Sequence, residues 1–261
     1  MGSGKYIVVE ADEYDHSFLT LTPCIAGITN VDADHLDCYR NLDEIKSSFI
    51  EYANKVPFFG SVIACLDDGV QAILPFIHKK IVTYGFSRQA DVQARDIDMQ
   101  GFSSSYDLLF KEYKLGRISL KVTGKHNIQN SLLAASIGLE LDIPFPAIQD
   151  GLSKFSGVYR RFDLKGEAGG ITVYDDYAHH PTEIMATLEG FKDSAKRRIV
   201  TLFQPHLFSR TRDFYKEFGK SFFSCDCLIL APVYPAREQP IPGVSSKLIA
   251  DAAIQSGHHN V

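Results

Sequence analysis

The chain has no long run of lysine and arginine: it holds 27 of these residues against 32 aspartates and glutamates, with a formal net charge of -5 at pH 7. Binding to a nucleic acid backbone requires clustered positive charge, so the sequence argues against a nucleic acid as the main partner. Low-complexity segments and internal repeats are also missing. The 261 residues are 45% hydrophobic and 23% charged, which is typical of a globular protein with room for two ordinary domains.

The five cysteines include no Cys-x-x-Cys pair, so the sequence offers no zinc site of the usual spacing. Their odd number favours free thiols, which a reducing cytoplasm maintains. The longest apolar run is far below the roughly 20 residues that cross a membrane, and the first residues show no signal-peptide pattern. The sequence therefore predicts a cytoplasmic protein without a membrane partner.

Strands and helices alternate along the chain, which predicts an α/β fold. In the first half, strands are predicted at 6–9, 24–29, 61–66, 81–86 and 117–122, and helices at 41–56, from 126 and from 146. In the second half, strands are predicted at 171–174, 199–203 and 228–231, and helices from 181, 209 and 245. The regular rhythm of the second half predicts a parallel sheet with right-handed crossovers, and a domain boundary is expected near Gly157.

Polar and ring-bearing clusters follow each of the three strands of the second half, at 175–180, 204–206 and 233–238. The carboxyl ends of parallel strands meet at one edge of a sheet, where α/β folds bind their ligands. The first cluster contains Asp176, Tyr177, His179 and His180, which could be acid–base groups, metal ligands or substrate clamps. Clamping is favoured, because adjacent histidines at a strand end rarely both bind one metal.

Two acidic segments lie at strand ends in the first half. Glu10 follows the predicted strand at 6–9, and His35 lies among carboxylates after the strand at 24–29. An acid at a strand end can hold Mg²⁺ beside a nucleotide, and the His35 segment suits a second metal or a phosphate contact. Both segments are equally explained as acidic surface loops.

The helix predicted from residue 126 opens with His126, Asn127 and Asn130. An asparagine side chain carries a donor and an acceptor, as recognition of an adenine edge requires, and a helix N-terminus attracts anions. Ordinary helix capping also explains these residues and is the simpler interpretation when they are taken alone.

Taken together, six segments resemble the Mur ligase family: 10–19, 29–37, 124–130, 160–162, 175–183 and 203–206. The segment 175–183, Asp-Asp-Tyr-Ala-His-His-Pro-Thr-Glu, is the most specific, and the resemblance runs along essentially the whole chain. It implies an α/β fold in two parts. Residues 1–156 would be the C-terminal part of a P-loop-type central ATPase domain, and residues 157–261 an incomplete Rossmann-like C-terminal domain with a parallel sheet.

The resemblance implies an ATP-dependent amide ligase of peptidoglycan synthesis, closest to members that join L-alanine to UDP-N-acetylmuramate. In that reaction the muramyl carboxylate takes the γ-phosphoryl group of ATP, and the amine of L-alanine attacks the acyl phosphate. Glu10 and His35 would then correspond to magnesium-site residues. His126, Asn127 and Asn130 would correspond to the helix start that binds adenine.

The same resemblance assigns roles in the second half. Arg161 and Asp176 would reach ATP, Asp176 through the ribose, while Tyr177, His179 and Arg210 would hold L-alanine and the muramyl end. The residues implied to be catalytic are His35, Arg161 and His179.

Two departures from the family pattern matter. Leu207 stands where the family has an arginine, so Arg210 or Arg212 must make that substrate contact alone. The glycine-rich phosphate loop expected before Glu10 is not found, since Gly-Ser-Gly-Lys at 2–5 lacks its spacing and its Ser/Thr. We therefore expect a fragment that has no ligase activity by itself.

Three alternatives stay open at this point. Within the family, the ligase that recycles a tripeptide also has a His-His-Pro segment. A metal-dependent phosphohydrolase could instead place Asp34, His35, Asp176, His179 and His180 around two metal ions. A non-catalytic nucleotide-binding remnant would also fit the missing phosphate loop.

Overall fold

The fold was obtained as a computed structural model that describes residues 4–32, 38–67, 69–101, 103–194 and 197–261. The chain forms two compact units. The first comprises Met1–Ile97, Tyr106–Ser119 and Ile128–Ser153, and the second comprises Asp98–Ser105, Leu120–Asn127 and Lys154–Val261. None of the helices in the described part of the chain is long and apolar enough to cross a membrane.

A six-stranded sheet forms from the first half of the chain. Its strands, in spatial order, are β1 (Ile25–Ile28), β2 (Ser61–Cys65), β3 (Lys80–Gly85), β4 (Val92–Gln100), β5 (Ser103–Phe110) and β6 (Tyr113–Leu120). The pairs β1–β2, β2–β3 and β3–β4 are parallel. Every residue of β2 is buried. The predicted strands at 24–29, 61–66, 81–86 and 117–122 are confirmed as β1, β2, β3 and β6.

Two strands of this sheet, β4 and β5, were not predicted from the sequence. The connection between β5 and β6 consists of Lys111 and Glu112, whose φ values are 47° and 72°. Two consecutive positive φ values are typical of a type I′ hairpin turn, which usually carries Asn-Gly. Lys-Glu is not a typical sequence for this turn, so the turn residues do not predict the hairpin.

The predicted strand at 6–9 is wrong. Tyr6, Ile7, Val8 and Val9 have no strand pairing and are 67%, 81%, 95% and 55% exposed. An apolar, β-branched run favours a strand only where a neighbouring strand or a covering layer is present. No such neighbour is found for this segment among the described residues.

Three helices accompany the first sheet: α1 (Leu42–Asn54), α2 (Lys125–Glu140) and α3 (Phe145–Lys154). The predicted start of α1 is confirmed, because the Asn41 side chain accepts a hydrogen bond from the Glu44 N–H at 3.0 Å. The Glu44 carboxylate in turn accepts a hydrogen bond from the Arg40 N–H at 2.7 Å. In a regular capping box it would accept from the N–H of the cap residue, which here is Asn41.

The second half of the chain contains β7 (Asp163–Ala168), β8 (Ile171–Asp175), α4 (Pro181–Ser194), β9 (Val200–Phe203), α5 (Phe208–Ser221), β10 (Cys227–Leu230) and α6 (Ser246–Gln255). The order of strands and helices agrees with the prediction, and β9 and β10 pair in parallel. In contrast to the prediction, β8 pairs antiparallel with β7. Gly169 and Gly170, with φ values of 58° and 77°, form the tight turn that allows this hairpin.

One apolar core joins the helices and strands of the second unit. It consists of Ile184, Leu188, Phe203, Phe218, Phe222, Cys225, Leu228, Ile249 and Ala253. Gly219 lets α5 and α6 approach closely, since a Cβ atom there would come within 2.7 Å of the Ala252 backbone. Phe203 at the end of β9 and Leu228 of β10 belong to this core, and the polar residues described next follow the two strands.

The five cysteines are free thiols, as predicted. Cys65 and Cys225 are buried, Cys38 and Cys227 are intermediate, and Cys24 is exposed.

Candidate functional site

Three segments of the second unit lie where β8, β9 and β10 end, and together they form the strand-end cluster: 176–180, 204–207 and 233–238. His206 and Tyr234 form a parallel bridge, and their rings stack with centroids 5.6 Å apart. The His179 ring centroid lies 6.2 Å from that of His206. The structure therefore brings the three predicted segments together, but not at the edge of one parallel sheet, because β9 pairs with β10 and β8 pairs with β7 in a separate two-stranded sheet.

Asp176 connects the segment around Arg161 to this cluster through a hydrogen bond. One oxygen of Asp176 accepts a hydrogen bond from the Phe162 N–H at 2.8 Å. The Phe162 ring stacks on Phe191 of α4, with centroids 3.9 Å apart. Arg161 is thereby held beside α4, where its guanidinium donates to a carboxylate oxygen of Glu183 at 3.0 Å.

Glu183 is a site residue that the sequence analysis did not single out. Its carboxylate accepts hydrogen bonds from the backbone N–H groups of His179 at 2.9 Å and His180 at 3.2 Å. Burial alone would raise the pKa of the Glu183 carboxyl, but the His179 N–H, the charges of His179 and Arg161 and the hydrogen bond from Arg161 hold the pKa below its usual value. The signal for it was present, because a glutamate in the first turn of a helix commonly binds the N–H groups that precede the helix.

His179 is fixed in one orientation. Its Nδ1 lies 2.9 Å from the Tyr177 carbonyl oxygen. A carbonyl can only accept, so Nδ1 carries the proton and Nε2 is the nitrogen with a free lone pair in the neutral ring. Tyr177 is 49% exposed, and the Arg160 guanidinium lies 4.9 Å from its ring centroid. A fixed imidazole beside an exposed phenol suits the binding of a small polar ligand.

His206 lies among charged groups that keep it neutral. Burial lowers the pKa of His206, and the charges of Arg210 and His179 lower it further, outweighing the opposite effect of Glu238. Its buried Nδ1 has no hydrogen-bond partner among the residues that the structure describes. Arg210 thus lies close enough to act on this ring.

A second carboxylate, Glu238 of the predicted cluster 233–238, contacts the start of α5, and the sequence analysis did not predict this contact. Glu238 accepts hydrogen bonds from the N–H of Ser209, at 2.9 Å, and from its hydroxyl. Leu207 immediately precedes α5 with a φ of 70°. An acid located 29 residues beyond the helix start in sequence gives no local capping signal.

The start of α2 lies in the second unit up to Asn127. Burial lowers the pKa of His126, while Asp176 raises it and Arg161 lowers it, so the three groups lie close enough to interact. The Asn127 amide donates to the Thr123 carbonyl at 2.7 Å, so this bond does not supply an acceptor for the N–H groups of the helix start. Asn130 is exposed.

Glu10, one of the two candidate metal residues, belongs to the first unit. Glu10 is exposed, and the neighbouring Asp12 and Asp15 bind the backbone N–H groups of Tyr14 and Ser17 at 3.0 and 3.1 Å. All three acids are exposed, and Asp12 and Asp15 are engaged by these backbone N–H groups. His35 lies outside the described residues, and the described part of the chain contains no group of three or more metal-ligating side chains.

Comparisons with known proteins agree over both halves of the chain. The family described as the Mur ligase middle domain matches residues 2–138, and the Mur ligase glutamate ligase domain matches residues 160–261. Similar curated proteins are UDP-N-acetylmuramate–L-alanine ligases. The protein from Salinibacter ruber is 51% identical over 100% of this chain and 55% of its own length, and that from Desulfatibacillum aliphaticivorans is 47% identical over 100% and 58%.

The chain thus spans about half the length of the curated relatives it matches. Among solved structures, the UDP-N-acetylmuramate–alanine ligase from Thermotoga maritima gives a TM-score of 0.74 at 24% identity, covering 94% of this chain and 52% of that one. A murein peptide ligase from Psychrobacter arcticus gives 0.61 at 24% identity, covering 91% and 48%. Both show a shared fold, and since the middle-domain match alone covers more than half of the residues, the chain belongs to the Mur ligase family.

Proposed function

We propose that this chain supplies the nucleotide-binding and amino-acid-binding surfaces of an ATP-dependent ligase that joins L-alanine to UDP-N-acetylmuramate in peptidoglycan precursor synthesis. The observation that carries the proposal is that Glu183, beside the strand-end cluster, joins two candidate residues: its carboxylate accepts hydrogen bonds from the Arg161 guanidinium and from the His179 N–H. The names of the similar curated ligases support the choice of substrates. The free thiols support the cytoplasm as the compartment.

The proposed reaction has two steps. The muramyl carboxylate attacks the γ-phosphorus of ATP to give an acyl phosphate and ADP, and the amine of L-alanine then displaces phosphate to form the amide. Both steps spread negative charge over phosphoryl oxygens, so the protein contributes mainly cations and orientation. Arg161 provides such a cation, and its remaining guanidinium N–H groups can donate to phosphate while one donates to Glu183.

On the nucleotide side, we assign His126, Asn127, Asn130, Arg161 and Asp176. The lowered pKa of His126 favours a neutral ring, which can lie against a base without a charge. The Asn127 amide nitrogen is engaged by Thr123, and this bond orients the side chain at the start of α2. The amino end of a helix favours the anionic part of a nucleotide.

On the amino-acid side, we assign Tyr177, His179 and Arg210. The Nε2 atom of His179 is the ring nitrogen that can accept a proton from the incoming ammonium group, since Nδ1 donates to the Tyr177 carbonyl. The Arg210 guanidinium suits the carboxylate of L-alanine. Leu207 cannot make a second ionic contact there.

For magnesium, we assign Glu10 and His35. Glu10 fits because Mg²⁺ prefers oxygen ligands and keeps several waters, needing only one or two carboxylates besides the substrate phosphates. The exposed Glu10 carboxylate meets that requirement. When bound, the ion would neutralise charge on the phosphates during transfer.

Replacing His179 by alanine tests the assignment of the amino-acid side. His179→Ala is expected to reduce L-alanine binding at least about tenfold, the loss of roughly 1.4 kcal/mol, and to leave ATP binding within a factor of about two. Isothermal titration with each ligand measures both. His259→Ala, at an exposed position, is the matched control. Loss of ATP binding with L-alanine binding intact would reject the assignment.

A further inference from the structure

Glu183 has an ordinary structural task at the start of α4. It is the third residue of the helix Pro181–Ser194, and its carboxylate accepts from the N–H groups of His179 and His180 at 2.9 and 3.2 Å. These bonds satisfy backbone donors that a helix start leaves without intrahelical partners. A glutamine could do the same, because its side-chain oxygen accepts hydrogen bonds as well.

The carboxylate also contacts two charged or ionisable side chains, which capping does not require. Its Oε1 atom accepts from Arg161 Nη1 at 3.0 Å, and its Oε2 atom lies 3.5 Å from His179 Nδ1. The Glu183 side chain is 31% exposed, so solvent screens these contacts less than it would on an open surface.

The two carboxylate oxygens of Glu183 contact different sides of the proposed site. Oε1 accepts from Arg161, whereas Oε2 accepts from the His179 N–H and lies 3.5 Å from the ring Nδ1, which donates to the Tyr177 carbonyl. Within the described ranges, Arg161 makes no ion pair other than the one with Glu183. The orientation of its guanidinium therefore depends on the same group that orients His179.

We propose that Glu183 is a positioning residue that couples the nucleotide side of the site to the amino-acid side through Arg161 and His179. If Arg161 binds a phosphate and loses its hydrogen bond to Glu183, the Glu183 carboxylate contacts only His179 and the His180 N–H and can shift. The position of the His179 imidazole then changes. The roles of the two sides rest on the proposed function. The link itself is present in the protein without ligands.

A ligand-free measurement tests the link. Glu183→Gln keeps a capping oxygen and removes the charge, and Glu189→Gln, exposed on the same helix, is the matched control. The imidazole NMR signals of His179, assigned by their loss in His179→Ala, are expected to shift in Glu183→Gln and Arg161→Gln but not in Glu189→Gln. Unchanged signals in Arg161→Gln would overturn the proposal, and this variant decides the matter even if Glu183→Gln folds poorly.

Ligand titrations separate this proposal from the proposed function. ADP is expected to change L-alanine affinity about fivefold or more, the low end of typical coupling between two sites. Glu183→Gln should reduce that factor below about twofold, whereas Glu189→Gln should keep it. If both ligands bind but Glu183→Gln retains the full factor, the coupling role is wrong and the proposed function stands. If neither ligand binds the wild type, the proposed function fails, and the NMR comparison still decides whether Glu183 links the two side chains.

Discussion

Strands β2 and β10 have similar apolar sequences but opposite surroundings. All five residues of β2 are buried, with Ile63 0% exposed. In β10, Ile229 is 49% exposed, and Leu202 of the paired strand β9 is 72% exposed. The strand β2 lies between two parallel neighbours in a six-stranded sheet, whereas β9 and β10 form a two-stranded pair with core residues on one side only. An apolar strand pattern thus predicts the strand but not how many of its faces are covered.

The largest expected effect is in β2. Ile63→Ala removes buried methyl groups and leaves a cavity, and it should lower the free energy of unfolding by about 2–5 kcal/mol. Ile229→Ala, the matched change in β10, should cost less than about 1 kcal/mol because that side chain is half exposed. Urea unfolding of both variants measures the difference. Equal losses would show that β10 is covered as fully as β2 in solution.

The next effect concerns the well-packed side of the second unit. Gly219→Ala places a methyl group 2.7 Å from the Ala252 backbone, so α5 and α6 must separate, at a cost of about 1–3 kcal/mol. Gly151 lies in α3 with no atom within 4 Å of an added Cβ, and Gly151→Ala should stabilise by about 0.5–1 kcal/mol through helix propensity. Thermal unfolding provides the measurement. A neutral Gly219→Ala would mean that the two helices are looser than the structure shows.

The smallest effect is on pH dependence. The folded state holds the pKa of His206 below its usual value of 6.5, so the unfolded chain takes up its proton first as the pH falls. The contribution of the neutral His206 ring to the free energy of unfolding is fully present above pH 6.5. It is lost as the pH falls towards the pKa of His206 in the folded state. His206→Asn removes this titration, so the free energy of unfolding should fall less between about pH 7.5 and 5.5 than it does in the wild type. The expected difference is under about 1 kcal/mol. An unchanged pH profile from urea unfolding at each pH would contradict this.

Elements specified by local signals could be predicted from the sequence. Asn41 and Glu44 marked the start of α1 because a helix cap depends on neighbouring residues. The hairpin of β7 and β8 and the turn at Lys111 could not be predicted, since β7 is mostly polar and the turn lacks Asn-Gly. Pairing partners are decided by tertiary contacts that a single strand pattern does not contain.

Among the residues of the site, too, some positions could be predicted from the sequence and others depend on the fold. His179 and His206 were predicted to lie close together at one edge of a parallel sheet. Their rings are 6.2 Å apart, but the predicted reason is wrong, since β8 and β9 belong to different two-stranded sheets. The contact of Glu238 with Ser209 could not be predicted, because the two residues are 29 positions apart in sequence. Glu183 had a recognisable capping position, but only the folded chain shows that Arg161 also reaches it.

Each unit contains one cysteine sequestered from solvent: Cys65 within β2, 1% exposed, and Cys225 in the core of the second unit, 6% exposed. Burial also raises the pKa of the Cys225 thiol, which keeps it in the unreactive protonated form. A thiol-reactive dye would modify the exposed Cys24 at once and would reach these two positions only when the surrounding unit opens. The chain therefore carries a built-in reporter in each unit, and timed alkylation followed by peptide mass analysis can follow their opening separately, without any added label site.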